Sequence, residues 1–268
     1  MNVAQPINPL SSQAGGDGAT DQLINYTTHL ADNALILGQR NAEWTGHGPV
    51  LEQDIAISNI SLDLIGQARM LYQYAAQIKR GDATEDSLAY LRDAWDFKNC
   101  LLVELEKGDW GKTILRQFFF SVYQFYLYQQ LQNSKDVTLA AIAEKAIKEV
   151  TYHVRWSAEW VIRLGDGTDE SHGRISNALS DLWMYTGELT TSAAYEIQLA
   201  AAGIAVDANT LKSPWMNKVK EVLEEATLKI PENQWMQSGG KEGKHTEHLG
   251  YILAEMQYLQ RTYPGAEW

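Results

Sequence analysis

The segment KEVTYHVRWSAEW, residues 148–160, places Glu149 and His153 four positions apart. On an α-helix that spacing turns both side chains to one face. A carboxylate beside a neutral imidazole is a donor pair that suits iron. In a helical bundle, a dinuclear iron carboxylate site draws one Glu from each of two helices. Two further helices each supply a Glu-x-x-His unit.

The sequence falls short of that requirement. The third position after Glu149 is Tyr152, not His, and the third after Asp63 is Gly66. No histidine lies between His47 and His153, and residues 113–133 contain neither Asp nor Glu. Asp32 and Glu43 sit off the main apolar stripe of their segment. Asp63, Glu149, Tyr152 and His153 therefore read as the degenerate remnant of a di-iron site, with no metal expected on this chain. An alternative keeps these four as unorthodox ligands of a chain that is itself a metal-binding oxygenase.

Glu149 and His153 share a stripe with Ile142, Ala146, Trp156 and Trp160. Burying an unpaired carboxylate costs several kcal/mol, so a hydrogen-bonded polar core is expected. Asp63, Gln67, Tyr152 and Arg155 are the candidate partners. The one literal Glu-x-x-His, Glu242 to His245, lies in SGGKEGKH (238–245), a flexible or anion-cradling loop by its glycines. His245, Glu247 and His248 are expected as polar residues of a surface or interface. No nucleophile elbow, phosphate loop or dinucleotide fingerprint is present. Cys100, in the apolar context KNCLLVE, reads as a buried small residue.

The elements that must position these residues are helical almost throughout. Apolar stripes predict helices over 20–44, 50–79, 113–133 and 136–164. A further helix is predicted from the cap-like Thr84 to residue 104. Shorter ones follow over 174–189, 192–202 and 213–229, with Ser213 as cap and Pro214 at the first position. A last helix covers 246–262. The second helix is apolar on more than one face, which predicts a central place. The fold class expected is all-α: a four-helix core with added helices, in one domain over 20–268 after a flexible tail over 1–19.

Composition narrows the function classes. The 268 residues are 45% hydrophobic, enough for a sizeable core. No apolar run approaches the roughly 18 residues of a membrane span, and the N-terminal stretch lacks the pattern of a secretory signal. A single cysteine excludes an internal disulfide and fits a cytoplasmic setting. The net charge of −12 argues against broad nucleic-acid binding and suits a basic protein partner.

Four segments carry a resemblance. NAEWTGHGPVLEQDIAISNISLDLIGQAR (41–69), AIKEVTYHVRWS (146–157), GKHTEHLG (243–250) and LAEMQYLQRTYPGAEW (253–268) resemble the C-subunit family of bacterial ring-1,2-phenylacetyl-CoA epoxidases. The similarity spans essentially everything after the N-terminal tail. It implies a ferritin-like fold and a place in a multicomponent monooxygenase of phenylacetate catabolism. In that family the di-iron centre sits in a homologous A subunit. A reductase supplies electrons from NADPH through FAD and an iron–sulfur centre. The C subunit is the structural partner in a tight hetero-oligomer and has lost the metal ligands. The resemblance also implies that the coenzyme A end of the substrate touches Asp96, Phe97, Lys98 and Asn99, and Glu196, Ile197 and Gln198. Lys98 suits a phosphate there, and Phe97 or Trp95 suits stacking on adenine. A standalone acyl-CoA-binding protein is the remaining alternative.

Overall fold

The computed structural model describes residues 16–232 and 234–266. Residues 1–15 of the expected tail lie outside the described residues, and Gly16 already opens the first helix. The helices are α1 (Gly16–Ala42), α2 (Leu51–Lys79), α3 (Glu85–Tyr90), α4 (Leu101–Glu104), α5 (Trp110–Leu131), α6 (Val137–Gly165), α7 (Asp169–Trp183), α8 (Ala194–Ala201), α9 (Lys212–Glu225), α10 (Glu247–Met256) and α11 (Tyr258–Thr262). Short 3-10 turns link several of them. Among the described residues there is no strand, and no helix is long and apolar enough to cross a membrane.

Four long helices form the core as two hairpins. α1 packs along α2, α5 packs along α6, and α2 meets α6 to join the pairs. Local chemistry sets their starts. The Asp109 carboxylate accepts from the Lys112 amide at 2.9 Å to cap α5, and Asp136 accepts from Thr138 and Leu139 at 3.0 Å each to cap α6. Gln53 ties α2 to α6 by accepting the indole N–H groups of Trp156 and Trp160, at 3.1 and 2.8 Å.

The added helices decide which core helix is enclosed. α8, α4 and α10 lie against α1, while α7 and α9 lie against α5. Every residue from 26 to 38 of α1 is buried, as are residues 113–124 of α5. α2 is left with exposed Leu51, Ile55 and Leu62. The central helices are thus α1 and α5, not the doubly striped second helix. Stripe width reports apolar content, not which neighbour covers it.

The helix expected to reach residue 104 from Thr84 stops at Tyr90. Thr84 does cap it, in a reciprocal pair with Ser87. Beyond it the chain becomes extended at Phe97 and Cys100 because α1 satisfies its backbone groups. Asp32 accepts from the Lys98 amide at 2.8 Å, His29 meets the Lys98 carbonyl at 2.6 Å, and Asn33 accepts from the Cys100 amide at 2.8 Å. α9 begins at Lys212 with Leu211 before it, so Ser213 and Pro214 fall inside its first turn. Proline is tolerated there because first-turn amides have no intrahelical acceptor. The last helix is interrupted at Gln257, whose amide donates to the Ala89 and Arg92 carbonyls at 3.2 and 3.0 Å.

Candidate functional site

Two polar clusters run through this apolar frame. The first lies inside the four-helix core. The Asn41 amide donates to Gln117 at 2.7 Å, and Gln117 donates to Ser121 at 2.8 Å. Further along α5, Gln124 donates to the Gln67 oxygen at 2.9 Å, and the Gln67 amide donates to Glu149 at 2.9 Å. His153 Nε2 meets Asp63 at 3.0 Å, and its Nδ1 has no partner. Tyr152 is 38% exposed and lies beside Arg155 instead of the interior. Of the four remnant residues, the structure therefore pairs Asp63 with His153, ties Glu149 to Gln67, and leaves Tyr152 outside.

This interior does not fit a dinuclear iron centre. Two irons with bridging carboxylates need several anionic oxygens converging on one point. Here neutral amides lie between the helices, and the two carboxylates are turned to separate partners, Asp63 to His153 and Glu149 to Gln67. Among the described residues no group of three or more His, Cys, Asp or Glu side chains is arranged to hold a metal ion.

The second cluster flanks α1 where residues 92–104, α8 and the loop 238–246 meet. Asp32 is fully buried. It accepts from the Tyr72 hydroxyl at 2.5 Å and forms an ion pair with Arg92. The Arg92 guanidinium lies over the Phe97 ring at 4.1 Å. On the loop, Lys241 donates to Glu196 at 2.9 Å and to the Thr191 carbonyl at 2.8 Å. Glu188 accepts from the backbone amides of Leu101 and Gly239 at 2.7 and 2.8 Å. Glu104 accepts from Asn99, His245 and the Thr246 amide at 2.8, 2.7 and 2.6 Å.

Two histidines in this cluster are shifted in opposite directions. His29 donates from Nδ1 to the Lys98 carbonyl, and its Nε2 accepts from the Asn33 amide at 3.3 Å. Burial, with the Lys241 charge adding to it, pulls its pKa down to about 4, so the ring is neutral. His245 faces acceptors on both sides: Glu104 at Nδ1 and the Phe97 carbonyl at Nε2, 2.8 Å away. Burial opposes its charge, but the hydrogen bond and charge of Glu104 outweigh it and raise the pKa. Cys100 is buried and its thiol pKa is raised by that burial, so it is no nucleophile.

Glycine seats the loop. A Cβ on Gly240 would stand 2.1 Å from the Asn99 carbonyl oxygen, and one on Gly243 would stand 2.3 Å from that of Trp95. Gly243 also has φ of +81°, a region that side chains disfavour. Gly240 and Gly243 therefore serve close backbone approach, and the anion that the loop amides at 239 and 241 meet is the chain's own Glu188 carboxylate, at 2.8 and 3.4 Å. The His245 side chain, expected at a surface or interface, is buried within the chain by the same close approach, while Glu247 remains exposed.

A family model described as "Phenylacetic acid catabolic protein" matches residues 10–268. The chain belongs to this family. Within it, the C subunit of 1,2-phenylacetyl-CoA epoxidase from Escherichia coli (strain K12) is 49% identical over 248 residues, covering 92% of this chain and 100% of the relative. The all-α architecture accords with the ferritin-like expectation for the family.

In this family member the segments 96–99 and 196–198, far apart in sequence, come together around His29, which lies between the Lys98 carbonyl and Glu196. Their side chains divide by burial. Phe97, Asn99 and Glu196 are fully buried, so the Phe97 ring is occupied by Arg92 and not available for adenine. Asp96, Ile197 and Gln198 are exposed, and Lys98 is half-buried. No single motif points to His29, Asn33, Arg92, Glu104, Glu188 or Lys241. A signal did exist on α1: His29, Asp32 and Asn33 interrupt a stretch that is buried all round, and such residues must find partners.

Proposed function

We propose that this chain is the non-catalytic, structural subunit of a multicomponent di-iron monooxygenase that epoxidises the ring of phenylacetyl-CoA. Its task is to stabilise the homologous catalytic subunit in a tight hetero-oligomer. The observation that carries this is the pair of amide links Asn41–Gln117 and Gln124–Gln67–Glu149. They lie between the four core helices, the region in which helical bundles build dinuclear iron sites. The full-length similarity to a protein named as a subunit of phenylacetyl-CoA epoxidase supports the same reading. The di-iron centre then belongs to the partner, and NADPH, FAD and the iron–sulfur centre to a reductase. The buried ion pairs beside α1 keep this subunit rigid enough to brace that partner. Where substrate reaches this chain, Lys98 meets a phosphate of coenzyme A, with Asp96, Ile197 and Gln198 around it, while Phe97, Asn99 and Glu196 hold the wall behind.

The test is metal content together with reconstituted activity. The chain purified alone should carry no stoichiometric iron. Glu149→Gln with His153→Gln should leave the activity of the complex with its catalytic subunit unchanged. Two irons per isolated chain, or loss of turnover in a stable complex of the variant, would overturn the proposal.

A further inference from the structure

The outward face of α2 carries a stripe that the fold leaves uncovered. Ile55, Asn59, Leu62, Gly66 and Arg69 recur along it at alternating steps of four and three residues, and they are the only exposed residues between positions 53 and 76. Glu52 continues the stripe by one more step, with Leu51 beside it. α1 and α6 pack on other sides of the helix. Leu51 is 72% exposed, Leu62 66% and Ile55 52%. That spacing is the seam by which one helix packs along another. Gly66 makes a notch in it, because a Cβ there would meet nothing within 4 Å.

The order of residues along the stripe is complementary to itself. Two copies of α2, laid antiparallel about a two-fold axis between Asn59 and Leu62, set each Asn59 beside the other copy's Leu62. The same register sets Ile55 opposite Gly66, so a branched side chain enters the notch. It sets Glu52 opposite Arg69, which gives one charge pair at each end. Leu51 falls opposite half-buried Met70. Arg69 already meets Glu85 through Nε at 3.1 Å, yet its side chain is 70% exposed and its guanidinium has further donors for a second carboxylate. A parallel pairing would instead set Glu52 against Glu52 and Arg69 against Arg69. One patch that fits its own copy is what a two-fold dimer requires.

We infer that α2 pairs two copies of this chain antiparallel, with Ile55 of each seated at Gly66 of the other and Glu52 paired with Arg69 at both ends. The inference does not depend on the subunit reading above and adds to it a contact between two such subunits. The stripe runs along about 30 Å of helix. A contact of that size belongs to the small, reversible class, so the dimer forms and dissociates in the micromolar range.

Sedimentation velocity of the full chain, at low salt over a series of micromolar concentrations, measures the dimer. Glu52→Lys and Arg69→Glu, each alone, set like charges against each other at both ends and should weaken dimerisation by about tenfold or more. The two combined restore opposite charges in the same register and should recover the dimer. Gly66→Leu fills the notch and should weaken dimerisation as the single reversals do. All three positions are exposed, and circular dichroism checks that every variant folds. A wild-type chain that stays monomeric throughout the series would overturn the pairing. So would single reversals that dimerise as wild type does, or a combined variant no better than either alone. A monomeric chain whose single reversals weaken binding to the catalytic subunit of the epoxidase would assign the stripe to that subunit and overturn the self-pairing. Failure of the wild-type chain to bind the catalytic subunit would overturn the subunit reading alone.

Discussion

Asp32→Asn isolates the energetic centre of the second cluster. The substitution keeps the shape and an oxygen for the Lys98 amide, but removes the charge that faces Arg92. The Asp32 side chain is fully buried and that of Arg92 is 13% exposed. The variant therefore leaves a nearly enclosed guanidinium without its counter-ion. Breaking one side of a buried pair costs about 3–5 kcal/mol. That is a large share of the roughly 5–15 kcal/mol by which a domain is stable. For a chain of this size it corresponds to a fall in Tm on the order of 10 °C. Urea denaturation followed by circular dichroism gives the value directly. Adding Arg92→Met to Asp32→Asn should recover more than half of the loss, because an apolar replacement removes the stranded charge. A loss below about 1 kcal/mol for Asp32→Asn, or no recovery in the double variant, would refute the view that this pair is a desolvated ion pair.

Other perturbations probe the histidines, the loop and the core amides. His29 has a folded pKa of about 4 against an ordinary 6.5, so the unfolded chain binds the extra proton first and stability falls as pH drops from 6.5 toward 4. The His29 share of that fall is about 2 kcal/mol at pH 5. His29→Gln should remove it from an acid-side denaturation series. His245 works in the opposite sense: its pKa is raised, so its contribution is present below pH 6.5 and lost as pH rises through the folded value. His245→Gln should flatten that alkaline-side decline. Gly243→Ala should destabilise by about 2 kcal/mol or more, through both the positive φ and the clash with the Trp95 carbonyl; hydrogen exchange would show the loop 238–246 opening first. Gln67→Leu deprives half-buried Glu149 and the buried Gln124 amide of a partner and should cost about 1–3 kcal/mol by thermal denaturation.

The helical class and the four long core helices were legible from periodicity because each helix carries its own apolar stripe. The incompleteness of the iron ligand set was legible too, since Tyr152 and the acid-free stretch 113–133 are facts of composition. Periodicity failed between residues 91 and 104. Those residues are helix-compatible by type, but backbone groups at 98 and 100 are taken by side chains of α1, far earlier in the chain. Burial of the His245 side chain was hidden for a similar reason. Its loop looks polar and glycine-rich until Gly240 and Gly243 bring it against the backbone of 95–99.

The sequence by itself determined what each residue type permits: the helical class, the four long core helices, the Thr84 cap, and the iron ligand pattern that it leaves incomplete. These depend on neighbours within a turn or two, or on composition alone. Only the tertiary structure decided that α1 and α5 are enclosed while α2 faces solvent. It alone decided that Asp32 belongs to Arg92, and that burial keeps His29 neutral while Glu104 favours the charged form of His245. Each of those outcomes depends on desolvation and on partners brought from distant segments, and no local pattern of the chain encodes either.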